Sequence, residues 1–270
     1  MRQLVEFAWE SLNKDGEELC GDCVKVTATP TSFNVVLSDG LGSGVKANIL
    51  ATLTAQIAGS MFQQEAAIDE VMETLVETLP ECRVRKLAYA TFSMLRVRHG
   101  RHAYLVEYDS PPLILVRDGQ ILELPFVEMM VHDRAVREAR FELRDGDYMV
   151  LVSDGYEHAG AGSAYRLGWG WPNIAMSVAR WAKTGCDAQE LTHALAKTCQ
   201  KLYNGKPGDD ATAVGMRVRP PRSVTILTGP PADQALDETA VHRLMAAEGQ
   251  KVICGGSTAQ MVARVLNRVL

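Results

Sequence analysis

The sequence predicts an α+β fold, in which strands and helices occur in blocks rather than as repeated strand–helix–strand units. Three observations predict it. Two apolar runs, residues 35–37 and 149–152, each lead directly into Ser-Asp-Gly, as buried strands that end at a turn do. Between them, helical periodicity over residues 49–79 precedes strand-like segments over residues 87–124. Two further helical segments and a last strand complete the order.

The first helical block follows a glycine-rich turn and predicts two amphipathic helices. Apolar residues recur at every fourth position in its first half and at i, i+3, i+4 and i+7 positions in its second half. The first set is Ile49, Leu53, Ile57 and Met61, and the second is Ile68, Val71, Met72, Leu75, Val76 and Leu79. We expect these residues to form the apolar faces of the two helices.

The strand block that follows predicts a meander, with turns at His99-Gly100 and Asp118-Gly119. Its strands are expected at residues 88–97, 102–108 and 113–116. A further hairpin is predicted from residues 140–143 and 148–152. Two helices then follow, near residues 173–183 and 188–203. Asp187 and Glu190 have the spacing of a capping box at the start of the second helix.

Residues 219–270 predict a small α/β extension after a first domain of residues 1–218. Arg219-Pro220-Pro221-Arg222 is typical of a linker, and a βαβα pattern follows it. A unit of about fifty residues is marginal as an independent fold. We therefore expect it to pack on the larger domain or to pair with another copy in a homodimer. The sequence stops inside the last predicted helix, which is compatible with a longer natural protein.

Composition narrows the class of protein. The chain has 270 residues, 47% hydrophobic and 23% charged, with a net charge of −5. This balance favours a globular protein and does not favour binding to nucleic acid or anionic membranes. No signal peptide and no apolar run of membrane-spanning length are evident, so a cytoplasmic protein is expected. The six cysteines include one CxxC, Cys20 to Cys23, but no second pair for zinc, which favours ordinary reduced thiols.

The chain has acidic residues at four places, each next to a predicted strand. They are Asp22, Asp39, Asp154 and the pair Asp209-Asp210. A cluster of carboxylates suits hard cations such as Mg²⁺ or Mn²⁺ rather than zinc. Any one of these motifs is compatible with simple turn chemistry. Their repetition at strand edges favours a metal site.

Two other motifs allow alternative interpretations. The glycines at positions 40, 42 and 44 suggest a nucleotide loop, but neither the G-x-G-x-x-G nor the P-loop spacing is present. Phosphate binding at the following helix start remains a minor alternative. His158 lies close enough to Asp154 in sequence to transfer a proton, although a surface histidine is the simpler interpretation.

The segment Asp39-Gly40-Leu41-Gly42-Ser43-Gly44 resembles the Asp-Gly-Met-Gly-x-Gly motif of the sporulation stage II protein E branch of type-2C (PPM) metal-dependent protein phosphatases. Gly21-Asp22, Ser153-Asp154-Gly155 and Asp209-Asp210-Ala211-Thr212 are similar to that family's other acidic motifs, in the same order. The resemblance covers about residues 1–218. It implies a four-layer αββα sandwich of two antiparallel sheets flanked by helices, with two Mn²⁺ or Mg²⁺ ions at one end.

By this resemblance Asp39 bridges both ions and the Gly40 carbonyl binds one of them. Asp154 and Asp209 complete the other, and Asp22 holds waters or the second ion. Asp210 is a further candidate ligand or a partner of one. The implied reaction is direct attack of a metal-activated water on phosphoserine or phosphothreonine, without a phosphoenzyme.

One position departs from many eukaryotic members of the family. They carry a histidine soon after the first Asp-Gly, implicated as the general acid, where this chain has Leu41. No general acid is assigned. The glycine- and aromatic-rich residues 157–172 predict either a connection whose tryptophans cover the core or a substrate-recognising flap with Arg166 as a phosphate contact.

The sequence therefore predicts a metal-dependent serine/threonine phosphatase acting on a phosphorylated regulatory protein, with an anti-sigma-factor antagonist of bacterial stress or sporulation signalling as the analogous substrate. The main alternative is a catalytically silent, phosphatase-like module that binds a partner or signal. A nucleotide-binding module built on residues 39–47 and the C-terminal extension is a weaker one.

Overall fold

The computed structural model describes residues 3–79, 90–131, 134–162 and 164–269. The chain divides into two compact units, Met1–Arg219 and Pro220–Leu270. In chain order the elements of the first unit are β1 (Leu4–Leu12), β2 (Asp22–Ala28), β3 (Ser32–Gly40), α1 (Gly44–Gln63), α2 (Ile68–Thr78), β4 (Ala90–Arg98), β5 (His102–Tyr108), β6 (Ile114–Arg117), β7 (Gln120–Leu122), β8 (Val127–Val131), β9 (Arg134–Glu142), β10 (Tyr148–Val152), α3 (Asp154–His158), α4 (Trp171–Ala182), α5 (Ala188–Leu202) and β11 (Ala211–Arg219).

These strands form two antiparallel sheets. The five-stranded sheet has the order β1-β11-β10-β6-β7, and the six-stranded sheet has the order β2-β3-β4-β5-β9-β8. Apolar side chains from both sheets, among them Leu37, Leu95, Met149, Leu151 and Val214, are buried together. Alternate residues of each strand point away from this shared core because side chains in a strand alternate between faces.

Helices cover the outer face of each sheet. The helices α4 and α5 pack on the five-stranded sheet through Ile174, Val178, Leu191 and Leu195. On the six-stranded sheet, α1 and α2 contribute residues such as Phe62 to a third buried cluster. The layers therefore follow the order helix, sheet, sheet, helix, which confirms the predicted α+β class and the αββα sandwich.

The first predicted helix is present, but half of its predicted apolar face is wrong: Ile57 and Met61 pack against the buried cluster, whereas Ile49 and Leu53 are exposed. Ile49 and Leu53 are 51% and 42% exposed, whereas small residues such as Ala51 and Ala55 are fully buried. The reason is close packing of α1 against the sheet, since a Cβ added at Gly59 would lie 3.4 Å from a methyl carbon of Val36. Small side chains allow this approach, and the larger ones lie on the outer side.

Two predicted strand pairings are also wrong. Residues 140–143 and 148–152 do not form a hairpin, because β9 pairs with β5 and β8 whereas β10 pairs with β6 and β11. The predicted meander is likewise divided, since β4 and β5 belong to one sheet and β6 to the other. The first two residues of its predicted first strand, 88 and 89, lie outside the described residues. The remaining strand segments were placed correctly, but local sequence does not show which sheet a strand joins.

The turn between β9 and β10 has a buried polar anchor. Asp147 is fully buried and accepts hydrogen bonds from Arg117 Nε at 2.8 Å, from Arg117 Nη2 at 2.7 Å and from the Arg144 backbone N–H at 2.7 Å. This bidentate ion pair joins the turn to β6, which is the neighbour of β10 in the five-stranded sheet.

The second unit is a βαβα arrangement. It consists of β12 (Val224–Thr228), α6 (Asp237–Ala246), β13 (Gln250–Cys254) and α7 (Gly256–Val265). The two strands pair in parallel, and Val241, Met261 and Val262 form a small buried cluster between its helices. Across both units, the described helices are all too short or too polar to cross a bilayer.

Candidate active site

The first two candidate acids lie at one end of the six-stranded sheet. Asp22 begins β2 and Asp39 is the penultimate residue of β3, and the two are direct cross-strand partners. Directly opposed residues in an antiparallel pair project to the same face, so both carboxylates occupy the same side of the sheet. Asp22 is only 6% exposed, whereas Asp39 is half-buried.

The remaining acids come from the other sheet. Asp154 follows the end of β10 after a single serine, and Asp209 and Asp210 directly precede β11. Because β10 and β11 are antiparallel neighbours, the end of one lies beside the start of the other. The acidic residues of both strands are therefore placed at the same sheet edge.

Ser153 joins the two halves of the site. Its hydroxyl donates to Asp22 Oδ2 at 2.7 Å, although Asp22 belongs to the opposite sheet. The same oxygen accepts a hydrogen bond from the Thr212 backbone N–H at 2.8 Å. Within the five-stranded sheet, the Lys14 backbone N–H donates to Asp210 Oδ1 at 3.0 Å. Among these contacts, the Ser153 hydroxyl is the one that connects an acid of the six-stranded sheet with the strands of the other sheet.

An open cavity of about 300 Å³ lies at this position. Asp39, Gly40, Asp154 and Asp209 line it, together with Lys14. Asp22 and Asp210 are buried and do not belong to the lining. The structure therefore brings all the predicted site residues to one end of the sandwich, but in two groups that differ in their access to solvent.

Burial makes the charged forms of these acids costly. It raises the pKa of Asp39 to about 10 and that of Asp22 to about 7, with repulsion from neighbouring carboxylates adding to both shifts. The pKa of Asp209 is also raised, again mainly by burial and next by Asp154. Opposite charge placed among these groups would favour their ionised forms.

The donor chemistry of the site fits a hard divalent cation. Asp22 Oδ1 and Asp210 Oδ2 are buried and have no hydrogen-bond partner. An unsatisfied buried carboxylate oxygen is unfavourable unless a donor or a cation approaches it. Among the described residues, no three Asp, Glu, His or Cys side chains already form a single-ion coordination shell. A cation here would therefore need water or backbone oxygens as additional ligands.

The glycines of the two Asp-Gly steps are required by packing. A Cβ on Gly40 would lie 2.1 Å from the carbonyl oxygen of Ala47 in α1, and a Cβ on Gly155 would lie 2.1 Å from that of Asp210. Glycine thus lets the backbone of α1 and the start of β11 pack directly against the acidic turns. This packing sets the position of Asp39 and Asp154.

Sequence reasoning missed three residues near the acids. Ser153 was part of a recognised turn motif, but its contact with Asp22 depends on the opposite sheet. Lys14 lines the cavity, yet no local pattern distinguishes it from other surface lysines. Asp109 also lines the cavity and has a positive φ of 48°, which sequence alone does not indicate.

Other residues considered at the sequence level lie elsewhere. His158 and Arg166 are exposed and do not line the cavity. Residue 163 of the segment 157–172 lies outside the described residues. Trp169 of this segment is 2% exposed and packs against the core, so at least this tryptophan covers the core. Burial raises the pKa of the Cys20 thiol to about 12, which agrees with an unreactive reduced cysteine.

Comparison with known proteins identifies the family. Residues 29–219 match the family model described as Stage II sporulation protein E (SpoIIE). A search of curated protein sequences finds no match. Among solved structures, the PP2C phosphatase domain of SpoIIE from Bacillus subtilis, with a fragment of its regulatory domain, is 18% identical with a TM-score of 0.66. That match covers 80% of this chain and 64% of the other, so the chain spans less than two thirds of that protein's length.

Two structures that contain metal also have this fold. RsbX in complex with magnesium is 19% identical with a TM-score of 0.58, covering 79% of this chain and 95% of that one. The catalytic domain of the phosphatase PstP in complex with two manganese ions is 17% identical with a TM-score of 0.53, covering 81% and 100%. The match to the family model covers more than half of the chain. The chain therefore has the fold of these phosphatase domains and belongs to the stage II sporulation protein E family.

Proposed function

We propose that the protein removes phosphate from phosphoserine and phosphothreonine in a regulatory protein, using two Mn²⁺ or Mg²⁺ ions held in the candidate active site. The observation that supports this proposal is the convergence of acids from both sheets around one cavity. Their buried, unpartnered oxygens provide the ligand type that these ions prefer.

The proposed ligands are the carboxylates of Asp22, Asp39, Asp154 and Asp209, together with the Gly40 carbonyl. Asp210 is the remaining candidate, because one of its oxygens is unpartnered while the other accepts from the Lys14 backbone N–H. A pair of divalent ions supplies a hydroxide-like water at neutral pH and neutralises charge on the phosphoryl oxygens.

The chain itself provides one positive charge to the cavity. Lys14 is the single basic residue among the lining residues described, and its Nζ lies 3.9 Å from Asp209 Oδ1. We assign it the role of holding a phosphoryl oxygen, since an ammonium group binds phosphate as a point charge. The described lining contains no histidine, in agreement with Leu41 at the position where many relatives have one. Protonation of the leaving alkoxide therefore has no assigned side chain.

The cavity is open and, at about 300 Å³, has room for a phosphorylated side chain. We therefore propose a phosphorylated loop or helix end on a folded cytoplasmic protein as substrate, with an anti-sigma-factor antagonist as the candidate suggested by the family.

The test is phosphate release from p-nitrophenyl phosphate and from a phosphothreonine peptide, with Mn²⁺, Mg²⁺ or EDTA. We expect turnover with either ion, no turnover in EDTA, and a large loss of turnover in Asp39→Asn and Asp154→Asn. These substitutions remove charge with little change in shape. Asp118→Asn is the matched control, because Asp118 lies in an exposed turn with a positive φ that asparagine tolerates.

Two results would contradict the proposal. Folded wild-type protein that releases no phosphate with either ion would instead support the catalytically silent alternative. Full activity in Asp39→Asn would remove the central ligand from the scheme. The rise in Tm that Mn²⁺ causes measures metal binding independently of turnover. If Asp39 and Asp154 are ligands, a variant that loses turnover must also lose this stabilisation by Mn²⁺.

A further inference from the structure

A second cavity lies on the outer face of the six-stranded sheet, away from the acids. It has a volume of about 620 Å³, and none of its lining residues also lines the candidate active site. Its floor contains two cross-strand rows of β4, β5 and β9. One row aligns Arg96 with Tyr104 and Arg140, and the next aligns Arg98 with His102 and Glu142.

The position of this cavity follows from the end of α1. Phe92 and Met94 of β4 project to the outer face and are covered by α1 and α2. Arg96 and Arg98 continue the same face by the period of two along a strand. Because α1 ends at Gln63, this last part of the face is left open beneath the α1–α2 turn, and Glu65 of that turn lines the cavity.

Arg96 is an unusual cavity residue because it is buried and incompletely paired. It is 9% exposed, its Nε donates to Asn34 Oδ1 at 3.2 Å, and its guanidinium lies 4.1 Å from the centre of the Phe62 ring. Its Nη2 is buried and has no hydrogen-bond partner. Such a donor is costly to leave unsatisfied, and the cost is larger for a charged group.

The neighbouring cations already have partners. Arg98 forms an ion pair with Glu65. Arg140 lies 4.5 Å from the centre of the Tyr104 ring and 3.8 Å from Glu138 Oε2. Among the described residues, Arg96 has no acidic partner within ion-pair distance. Burial lowers the pKa of Arg96 and repulsion from Arg98 adds to this, whereas the nearby Glu65 acts in the opposite direction. A negative charge added beside the guanidinium would favour its charged form.

We propose that this cavity binds a small molecule bearing an oxyanion, a carboxylate or a phosphate group, with Arg96 as its main contact. The guanidinium is fixed by Asn34 and Phe62 before any ligand arrives, and a planar, preorganised guanidinium is well suited to carboxylate and phosphate oxygens. Arg140, whose side chain is 71% exposed, lies at the same cavity and supplies further donors, whereas His102 lies 3.8 Å from Glu142, which also lines the cavity. The volume is within the usual range for small-molecule sites.

This site is distinct from the phosphate-binding position of the active site. Asn34 and Asp39 are five residues apart on β3, which corresponds to roughly 17 Å at about 3.4 Å per residue. An anion bound at Arg96 therefore does not contact the metal-binding acids. The proposal stands whether or not the proposed phosphatase reaction is correct.

The test is calorimetric titration of the full chain with inorganic phosphate and, separately, with succinate. We expect at least one probe to bind at millimolar concentration or below, and its affinity to fall about tenfold or more in Arg96→Met, as expected for loss of a charge-assisted hydrogen bond. Asp39→Asn should retain this binding, since it affects only the other cavity. The probe that binds identifies the group, phosphate or carboxylate.

Two controls keep the result interpretable. A circular dichroism spectrum at the wild-type level would show that Arg96→Met is folded. If this variant does not fold, Arg140→Gln replaces it, because Arg140 is largely exposed at the same cavity and its loss should also weaken binding. The proposal is overturned if neither probe binds wild-type protein, if the substitutions leave binding unchanged, or if binding disappears only in Asp39→Asn.

Discussion

Substitution of Ser153 by alanine tests whether the two halves of the candidate site depend on one hydroxyl. Ser153 is 2% exposed, and its oxygen both donates to Asp22 and accepts from the Thr212 N–H. Alanine would leave a buried carboxylate oxygen and a buried N–H without their partner. Each unsatisfied group costs about 1–3 kcal/mol, and because the two share one site we expect a combined loss of about 2–4 kcal/mol.

This loss is large enough to measure by thermal unfolding. For a domain of this size, 1 kcal/mol corresponds to about 2–4 °C in Tm, so Ser153→Ala should melt roughly 4–16 °C below wild type. Removing a hydrogen bond that orients a metal-binding carboxylate typically weakens metal affinity about 10- to 100-fold. A titration of Mn²⁺ followed by calorimetry would report this second effect.

Ser177→Ala is the matched control for this substitution. Ser177 is also buried, but its hydroxyl donates to the Asn173 carbonyl within α4. We expect a loss of about 1 kcal/mol or less and unchanged affinity for Mn²⁺. If Ser153→Ala melted with the wild type and bound Mn²⁺ equally well, the hydroxyl would not join the two sheets at this site, and the reasoning would be refuted.

Three other predictions follow from the same structure. In EDTA, the stability of the folded protein should fall as pH rises through about 7 and on toward about 10. The reason is that the pKa values of Asp22 and Asp39 are raised in the folded state, so that above about pH 4 the folded protein binds more protons than the unfolded chain. Urea unfolding at pH 5.5 and 8 measures this, and equal stability at both values would contradict the burial of these acids. Gly40→Ala should cost about 1–3 kcal/mol and reduce turnover, because the new Cβ meets the backbone of α1; a wild-type Tm would show that the contact is not tight. Ala51→Leu should also cost about 1–3 kcal/mol, whereas Leu53→Ala should change stability by less than about 0.5 kcal/mol. If Leu53→Ala were instead the more destabilising substitution, Leu53 rather than Ala51 would face the sheet, as the sequence predicted.

Sequence was sufficient for those features that are local. Periodicity and turn chemistry act over a few residues, and they predicted the strand segments ending in Ser-Asp-Gly, the capping box at Asp187 and the longer helices. They did not predict β1, β7, β8 or α3. The acids at strand edges were also recognisable, because an apolar run followed by Asp is a local pattern. Four such motifs in one order were enough to suggest the family.

Tertiary structure alone decided which elements meet. Apolar periodicity in α1 predicted a helix, but not that Ala51 would face the sheet while Leu53 faced outward, because that choice depends on how closely the helix approaches β3. Likewise, β9 and β10 are adjacent in sequence and belong to different sheets. Contacts such as Ser153 with Asp22, and the open position of Arg96 beyond the end of α1, join residues that are distant in the chain. No local pattern records them, because they exist only once the two sheets and their helices have packed.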